Sequence, residues 1–104
     1  MKWCLTNVPP PKAESIARTL VEEGRAACVN LGPVRSVYTW KGALCVDDEV
    51  TLVMKVGDHG VDALRRRLLE LHPYELPEFV VLAVETPGSH APYLEWVEAG
   101  TRRD

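Results

Sequence analysis

The sequence predicts an α+β fold, in which an antiparallel sheet carries helices on one of its faces. Residues 34–56 lead to this prediction, because apolar and β-branched side chains alternate with polar ones on both sides of the turn Lys41-Gly42-Ala43. A two-residue period on both sides of a glycine-containing turn is typical of a β-hairpin. Outside the hairpin, short apolar runs typical of strands alternate along the chain with segments of helical periodicity.

The remaining elements can be placed in order around this hairpin. The strands outside it are predicted at residues 3–8, 26–31 and 79–84, and the helices at residues 12–23, 61–71 and 91–98. Pro9-Pro10-Pro11 is expected to end the first strand, because proline cannot donate a hydrogen bond to a sheet. Gly32-Pro33 is expected to bend the chain before the hairpin. The order βαββαβ with a terminal helix predicts a single ferredoxin-like domain over residues 1–104.

The hairpin is long for so small a chain. If its second arm is one strand of about thirteen residues, it spans roughly 43 Å, whereas the radius of gyration of a compact chain of this length is about 13 Å. Part of the hairpin should therefore extend beyond the domain. Because exposed strand edges are usually covered in proteins, we expect another copy of the chain to cover it.

Composition excludes several classes of partner. The net charge is −3, and the basic residues are dispersed except for Arg65-Arg66-Arg67, so a clustered basic face for nucleic acid is not expected. No apolar run approaches the roughly twenty residues that cross a bilayer. Residues 1–12 contain no small-residue cleavage site of a secretory signal. These observations favour a cytoplasmic protein without a membrane or nucleic-acid partner.

The three cysteines are Cys4, Cys28 and Cys45. Their spacing matches neither a disulfide framework nor a zinc motif. They are interpreted as buried thiols of a cytosolic protein, and the alternative is that one of them is a reactive thiol or a soft metal ligand.

Sequence motifs of enzymes are missing from the chain. It contains no GxSxG, HExxH, P-loop or GxGxxG pattern. We therefore expect a protein that is not an enzyme.

The loop 72–78 is the densest cluster of polar and rigid residues between two apolar elements. Its two prolines fix the backbone, so His72 and Glu78 could be held in place to bind a divalent cation such as Cu(II) or Zn(II). The alternative is that His72 caps the preceding helix and Glu78 pairs with a lysine or arginine.

Two further polar features lie in the second arm of the hairpin. Lys55 is either a solvated strand lysine or a charge that binds an anion in a cleft between subunits. The run Asp47-Asp48-Glu49 is predicted to be a solvated edge or bulge that limits aggregation, although the side chains of Asp47 and Glu49 share a face and carboxylates can bind hard cations.

Five blocks of sequence, in this order and spacing, carry a family resemblance. They are Ala26-Ala27-Cys28-Val29-Asn30, Tyr38-Thr39-Trp40-Lys41-Gly42, the strand ending in Lys55, Leu71-His72-Pro73-Tyr74 with Pro77-Glu78, and Tyr93-Leu94-Glu95-Trp96. From about Val8 to Thr101 the chain resembles the CutA family of divalent-cation tolerance proteins. The resemblance implies a ferredoxin-like subunit, a homotrimer formed through the hairpins, a cytoplasmic location, and binding of copper or another divalent cation in metal tolerance.

The resemblance also implies which residues form a site. The metal ligands are expected to be His72, Glu78 and Cys28, and the ligand cleft is expected to contain Trp40, Lys55 and Tyr74. Some members of the family bind copper through a first-strand cysteine and two adjacent histidines, and this chain has Thr6 and Leu71-His72 at those positions. Because CutA proteins resemble PII-type signalling trimers in architecture, the alternative is a signalling or scaffold trimer that binds a small anionic ligand between subunits.

Overall fold

The computed structural model describes all 104 residues and contains four strands and three α-helices. The strands are β1 (Lys2–Val8), β2 (Cys28–Trp40), β3 (Ala43–Val56) and β4 (Val80–Ala83), and the helices are α1 (Pro10–Glu22), α2 (Val61–Leu71) and α3 (Ala91–Ala99). A short 3-10 turn, Asp58–Gly60, precedes α2. No helix has the length and the apolar content that a membrane span requires.

The strands form one antiparallel sheet in the order β2-β3-β1-β4. This order, with α1 and α2 connecting the strands, is the ferredoxin-like arrangement. The predicted fold class is therefore confirmed.

The core lies between one face of the sheet and the helices. Alternate residues of β1 and β3 are buried on this face, and they pack with apolar residues of α1 and α2: Cys4, Val8, Leu52, Met54, Val56, Ile16, Leu20, Leu64 and Leu68. Side chains at two-residue intervals in β1 and β3 thus build the core, as the alternation of the sequence predicts.

The opposite face of the sheet keeps large apolar side chains exposed. Trp3 and Leu82 lie opposite each other in the β1–β4 pairing, and both are exposed, as is Val80 on the same face. A continuous exposed apolar surface is typical of a surface that contacts another protein.

The hairpin extends beyond the sheet, as predicted. β2 and β3 pair from Cys28 opposite Lys55 to Trp40 opposite Ala43, whereas β1 pairs with β3 only as far as Val50. The molecule is accordingly elongated, with dimensions of 45 × 28 × 20 Å. Lys41 and Gly42 close the hairpin with positive φ angles of 50° and 82°, which is the geometry of a two-residue hairpin turn.

Two local predictions about proline are wrong. The expected bend at Gly32-Pro33 does not occur, because Pro33 pairs with Val50 inside a continuous β2. β2 is an edge strand, where proline is tolerated because one side of the strand needs no donor. The first helix begins at Pro10 and not at Lys12, since the first turn of a helix also needs no donor.

Candidate functional site

A groove of about 690 Å³ lies between the hairpin and the loop 72–78. Five carboxylates line it, and no basic side chain does: Asp47, Asp48, Glu49, Glu75 and Glu78. Three aromatic rings also line it: Tyr38, Trp40 and Tyr74. The groove is therefore strongly acidic and partly aromatic.

The register of the two hairpin strands determines which of their side chains face the groove. Ser36 lies opposite Asp47 and Val34 lies opposite Glu49, so Tyr38, Asp47 and Glu49 project from the same face. The phenol of Tyr38 donates a hydrogen bond of 2.5 Å to Oδ2 of Asp47. This hydrogen bond, together with burial, raises the pKa of Tyr38 to about 12.

Glu49 is the most buried carboxylate of the groove. Its side chain is buried, with 8% of the residue exposed, and its Oε2 accepts a hydrogen bond of 2.7 Å from the phenol of Tyr74. Burial and this hydrogen bond both raise the pKa of Tyr74. Glu49 forms no ion pair with any basic group of the chain.

His72 joins the loop to the end of β1. Its Nδ1 accepts a hydrogen bond of 3.2 Å from the backbone N–H of Tyr74, which assigns the ring proton to Nε2. Nε2 then donates to the carbonyl oxygen of Asn7 at 2.9 Å and lies 3.1 Å from Oγ1 of Thr6. Burial lowers the pKa of His72, and the Asn7 carbonyl and the charges of Glu49 and Glu78 oppose this effect.

Both ring nitrogens of His72 are thus occupied. To coordinate a cation, the imidazole would have to give up its hydrogen bond from Tyr74 or its hydrogen bond to Asn7, so its role as a ligand stays a prediction. The alternative from the sequence was that His72 caps α2. His72 is the C-cap residue of α2 and donates its backbone N–H to the carbonyl oxygen of Leu68, whereas its side chain bonds to the end of β1.

Glu78 lies beside the same residue of β1. Its Oε1 accepts a hydrogen bond of 3.4 Å from Nδ2 of Asn7, and Oδ1 of Asn7 accepts one of 2.6 Å from Thr51. Glu78 forms no ion pair with a lysine or arginine, contrary to the alternative considered from the sequence. Its carboxylate is held at the groove by a neutral donor.

Cys28 lies far from this cluster within one chain. It pairs with Lys55, and Asn7 pairs with Thr51, so four residues of β3, or about 13 Å, separate the two positions. No three His, Cys, Asp or Glu side chains of the chain converge as a metal site would require. Within a single chain Cys28 thus lies apart from His72 and Glu78, and the expectation that these three residues bind a metal ion stays a prediction.

The residues expected in the ligand cleft do not all lie together within one chain, and their meeting between subunits stays a prediction. Trp40 and Tyr74 line the groove, but Lys55 does not. The Nζ atom of Lys55 lies 5.3 Å from the ring centroid of Trp3 and 5.6 Å from that of Tyr93, a cation–π arrangement. An anionic ligand held by Lys55 would thus lie outside the groove, whose own charge is negative.

The sequence interpretation missed Tyr38 as a site residue, and it considered a cation site at Asp47 and Glu49 only as the alternative to a solvated edge. The run 47–49 was expected to be a solvated edge, and Asp48 fits this expectation, because it pairs with Arg35 at 3.2 Å and both side chains are exposed. Glu49 differs because the loop covers it. The signal that could have found it is the shared face of Tyr38, Asp47 and Glu49 in the hairpin.

Comparison with known proteins identifies related chains. Residues 3–100 match the family described as CutA1 divalent ion tolerance protein. The divalent-cation tolerance protein CutA of Thermus thermophilus is 39% identical over 99 residues, which cover 93% of this chain and 94% of that protein. The mouse protein CutA is 43% identical over 90 residues, 86% of this chain, and the match spans only 50% of the mouse protein.

Solved structures agree with the fold. The PII-like protein CutA from Nostoc sp. PCC 7120, in apo form, superposes with a TM-score of 0.98 at 53% identity over 100% of both chains. A CutA structure from Archaeoglobus fulgidus, described as a periplasmic divalent cation tolerance protein, has a TM-score of 0.88 at 25% identity and covers 96% of this chain and 98% of that one.

Proposed function

Because the chain belongs to the CutA1 family of divalent ion tolerance proteins, we propose that it binds divalent cations, Cu(II) first among them, in the response to metal ions. It does so as a cytoplasmic homotrimer and without catalytic turnover.

The observation that carries this proposal is the charge of the groove. Five carboxylates and no basic side chain line it, and carboxylate oxygens are common ligands of divalent cations. Glu49 and Glu78 both lie close enough to His72 for their charges to raise its pKa. These two carboxylates are the proposed first contacts of the cation.

The full ligand set would come from more than one chain. A single chain brings no three metal-binding side chains together, and two carboxylates alone make a weak site. Cys28 or a carboxylate of a neighbouring subunit would complete the coordination. The overhanging hairpin and the exposed apolar face of the sheet support assembly through these surfaces.

The cysteines support the proposed location. Cys4, Cys28 and Cys45 are all free, and free thiols persist in reducing compartments. Fractionation of the native cell, with detection of the protein in the cytosolic and periplasmic fractions, tests the location directly.

A titration with Cu(II) tests the proposal. Isothermal calorimetry on the assembled wild-type protein should show saturable binding, and Glu78→Gln and Cys28→Ser should each weaken it by about tenfold, the loss expected for one charged contact. Glu22→Gln, on the exposed face of α1, is the matched control and should leave the affinity unchanged. Absence of saturable binding to the wild type, or equal affinity in all four proteins, would contradict the proposal.

A further inference from the structure

We infer that the hairpin arm of one copy of the chain packs on the exposed apolar face of the sheet of a second copy, where an ion pair between Asp47 of the arm and Lys55 of the face fixes its position. The arm is the part of the hairpin beyond the β1–β3 pairing, residues 34–49. The inference rests on the oligomer of the proposed function, and it names the surfaces and the charges that join the subunits.

Lys55 is a partly covered cation without a carboxylate. Four lysine and arginine residues of the chain are partly buried: Lys2, Arg25, Lys55 and Arg67. The other three each pair with a carboxylate, whereas Lys55 forms no ion pair. Because a partly desolvated charge is stabilised by a charge of opposite sign, the ammonium of Lys55 is complementary to a carboxylate from outside the chain.

Lys55 lies on the exposed apolar face. Trp3 is directly opposite Lys55 in the β1–β3 pairing and directly opposite Leu82 in the β1–β4 pairing, and residues opposite each other project from the same face. Trp3 and Leu82 are both exposed. The face therefore presents one unpaired cation among apolar side chains, and a surface that fits it is apolar and carries a carboxylate.

The arm presents such a surface. Val34, Tyr38 and Trp40 follow one another at even intervals in β2, so they project from the same face as Ser36 and its partner Asp47. All three are exposed although each is large and apolar or aromatic. Aromatic side chains are enriched in protein interfaces, so this face of the arm is suited to packing on another chain.

Asp47 is the carboxylate of the arm that can accept a cation. Asp48 projects from the opposite face and pairs with Arg35, and Glu49 is buried. Asp47 is exposed, and its hydrogen bond from Tyr38 uses only Oδ2. The second carboxylate oxygen is left for the ammonium of Lys55.

These two residues cannot meet within one chain. Both lie in β3, and the eight residues from one to the other span about 26 Å. The arm extends seven residues of β3 beyond Val50, or about 23 Å, which is also the length of the seven-residue β1. An arm of this length can lie along the whole face of a second copy.

Subunit exchange tests the ion pair in the assembled, full-length protein. Native mass spectrometry of a mixture of unlabelled and isotope-labelled oligomers measures how fast mixed oligomers form. Lys55→Glu and Asp47→Lys should each accelerate exchange by about tenfold, because each places like charges together at the interface. The double variant restores the pair with reversed charges and should exchange within about threefold of the wild-type rate. Lys12→Glu, at an exposed position of α1, is the matched control and should exchange as the wild type does.

Two outcomes would overturn the inference while the wild type remains an oligomer. One is an unchanged exchange rate in Lys55→Glu, and the other is faster exchange in both single variants without recovery in the double variant. If Lys55→Glu does not assemble, the double variant must restore the oligomer, and a monomeric double variant would overturn the inference. A monomeric wild type would contradict the oligomer of the proposed function itself.

Discussion

The phenol of Tyr74 donates a hydrogen bond of 2.7 Å to Oε2 of Glu49, and this contact joins the loop after α2 to the overhanging part of the hairpin. It also supplies the only donor to a carboxylate that the loop removes from solvent. The integrity of the groove therefore depends on this pair.

Removal of the Tyr74 hydroxyl tests whether the groove depends on this hydrogen bond. Tyr74→Phe should lower the free energy of unfolding by about 1–3 kcal/mol, because it leaves the carboxylate of Glu49 buried without a donor. Tyr93→Phe is the matched control, since the hydroxyl of Tyr93 makes no hydrogen bond in the structure and the residue is exposed. Denaturant unfolding at fixed protein concentration measures both, and equal losses in the two variants would contradict the assigned role.

His72→Ala should destabilise the protein as well. The change removes the imidazole that bonds to Asn7 and accepts from the backbone of Tyr74, and it leaves buried polar groups without partners. We expect a loss of about 2 kcal/mol in the free energy of unfolding. His90→Ala, at an exposed position where the side chain makes no cap hydrogen bond, should cost little. A stable His72→Ala protein that has lost only Cu(II) binding would instead identify His72 as a ligand.

The same histidine predicts a dependence of stability on pH. Burial lowers the pKa of His72 in the folded state below the ordinary value of 6.5. As the pH falls below about 6.5, the unfolded chain takes up a proton that the folded chain does not, so the free energy of unfolding decreases. Unfolding curves at pH 7.5 and 5.5 should show this decrease in the wild type, and a smaller one in His72→Gln. An identical decrease in both proteins would show that other groups cause it.

The hairpin contains two glycines that can be compared, Gly42 in its turn and Gly32 in one of its strands. Gly42→Ala should destabilise the protein by about 1 kcal/mol, because Gly42 has a φ angle of 82° that alanine adopts only with strain. Gly32→Ala should cost less, because Gly32 lies in extended β2 and an added Cβ meets no atom within 4 Å. Thermal unfolding of the two variants compares them, and a larger loss at Gly32 would be inconsistent with the turn geometry.

Assembly should depend on the exposed apolar face of the sheet. Sedimentation equilibrium should give a particle of about 35 kDa, three times the 11.6 kDa of one chain, and Leu82→Arg should reduce it. Leu69→Arg on α2 is the control, because Leu69 and Leu82 have similar exposure, 43% and 45%, in one chain. A folded wild-type particle of 11.6 kDa at micromolar concentration would exclude the trimer.

Much of the fold could be predicted from the sequence, because each type of secondary structure requires its own spacing of apolar residues. The two-residue period of residues 34–56 defines the hairpin because alternate side chains of a strand face opposite sides. The continuity of β2 through Pro33 could not be predicted from the sequence. Proline is tolerated there because β2 is an edge strand, and the position of a strand in the sheet depends on the whole fold.

The site was only partly predictable, for a similar reason. Trp40 and Tyr74 were expected in a ligand cleft and Glu78 in a metal site, and all three line the groove. The burial of Glu49 depends on the path of the loop 72–78 across the hairpin, and the occupancy of both nitrogens of His72 depends on where β1 ends. Neither relationship leaves a pattern in the local sequence.

The central claim is that the acidic groove receives a divalent cation at its carboxylates. Anomalous diffraction from crystals soaked in Cu(II), recorded at the copper absorption edge, tests it most directly. We predict a peak within coordination distance of a carboxylate oxygen of Glu78 or Glu49, with further ligands from a neighbouring subunit. Copper peaks only at other positions, with none in the groove, would contradict the claim.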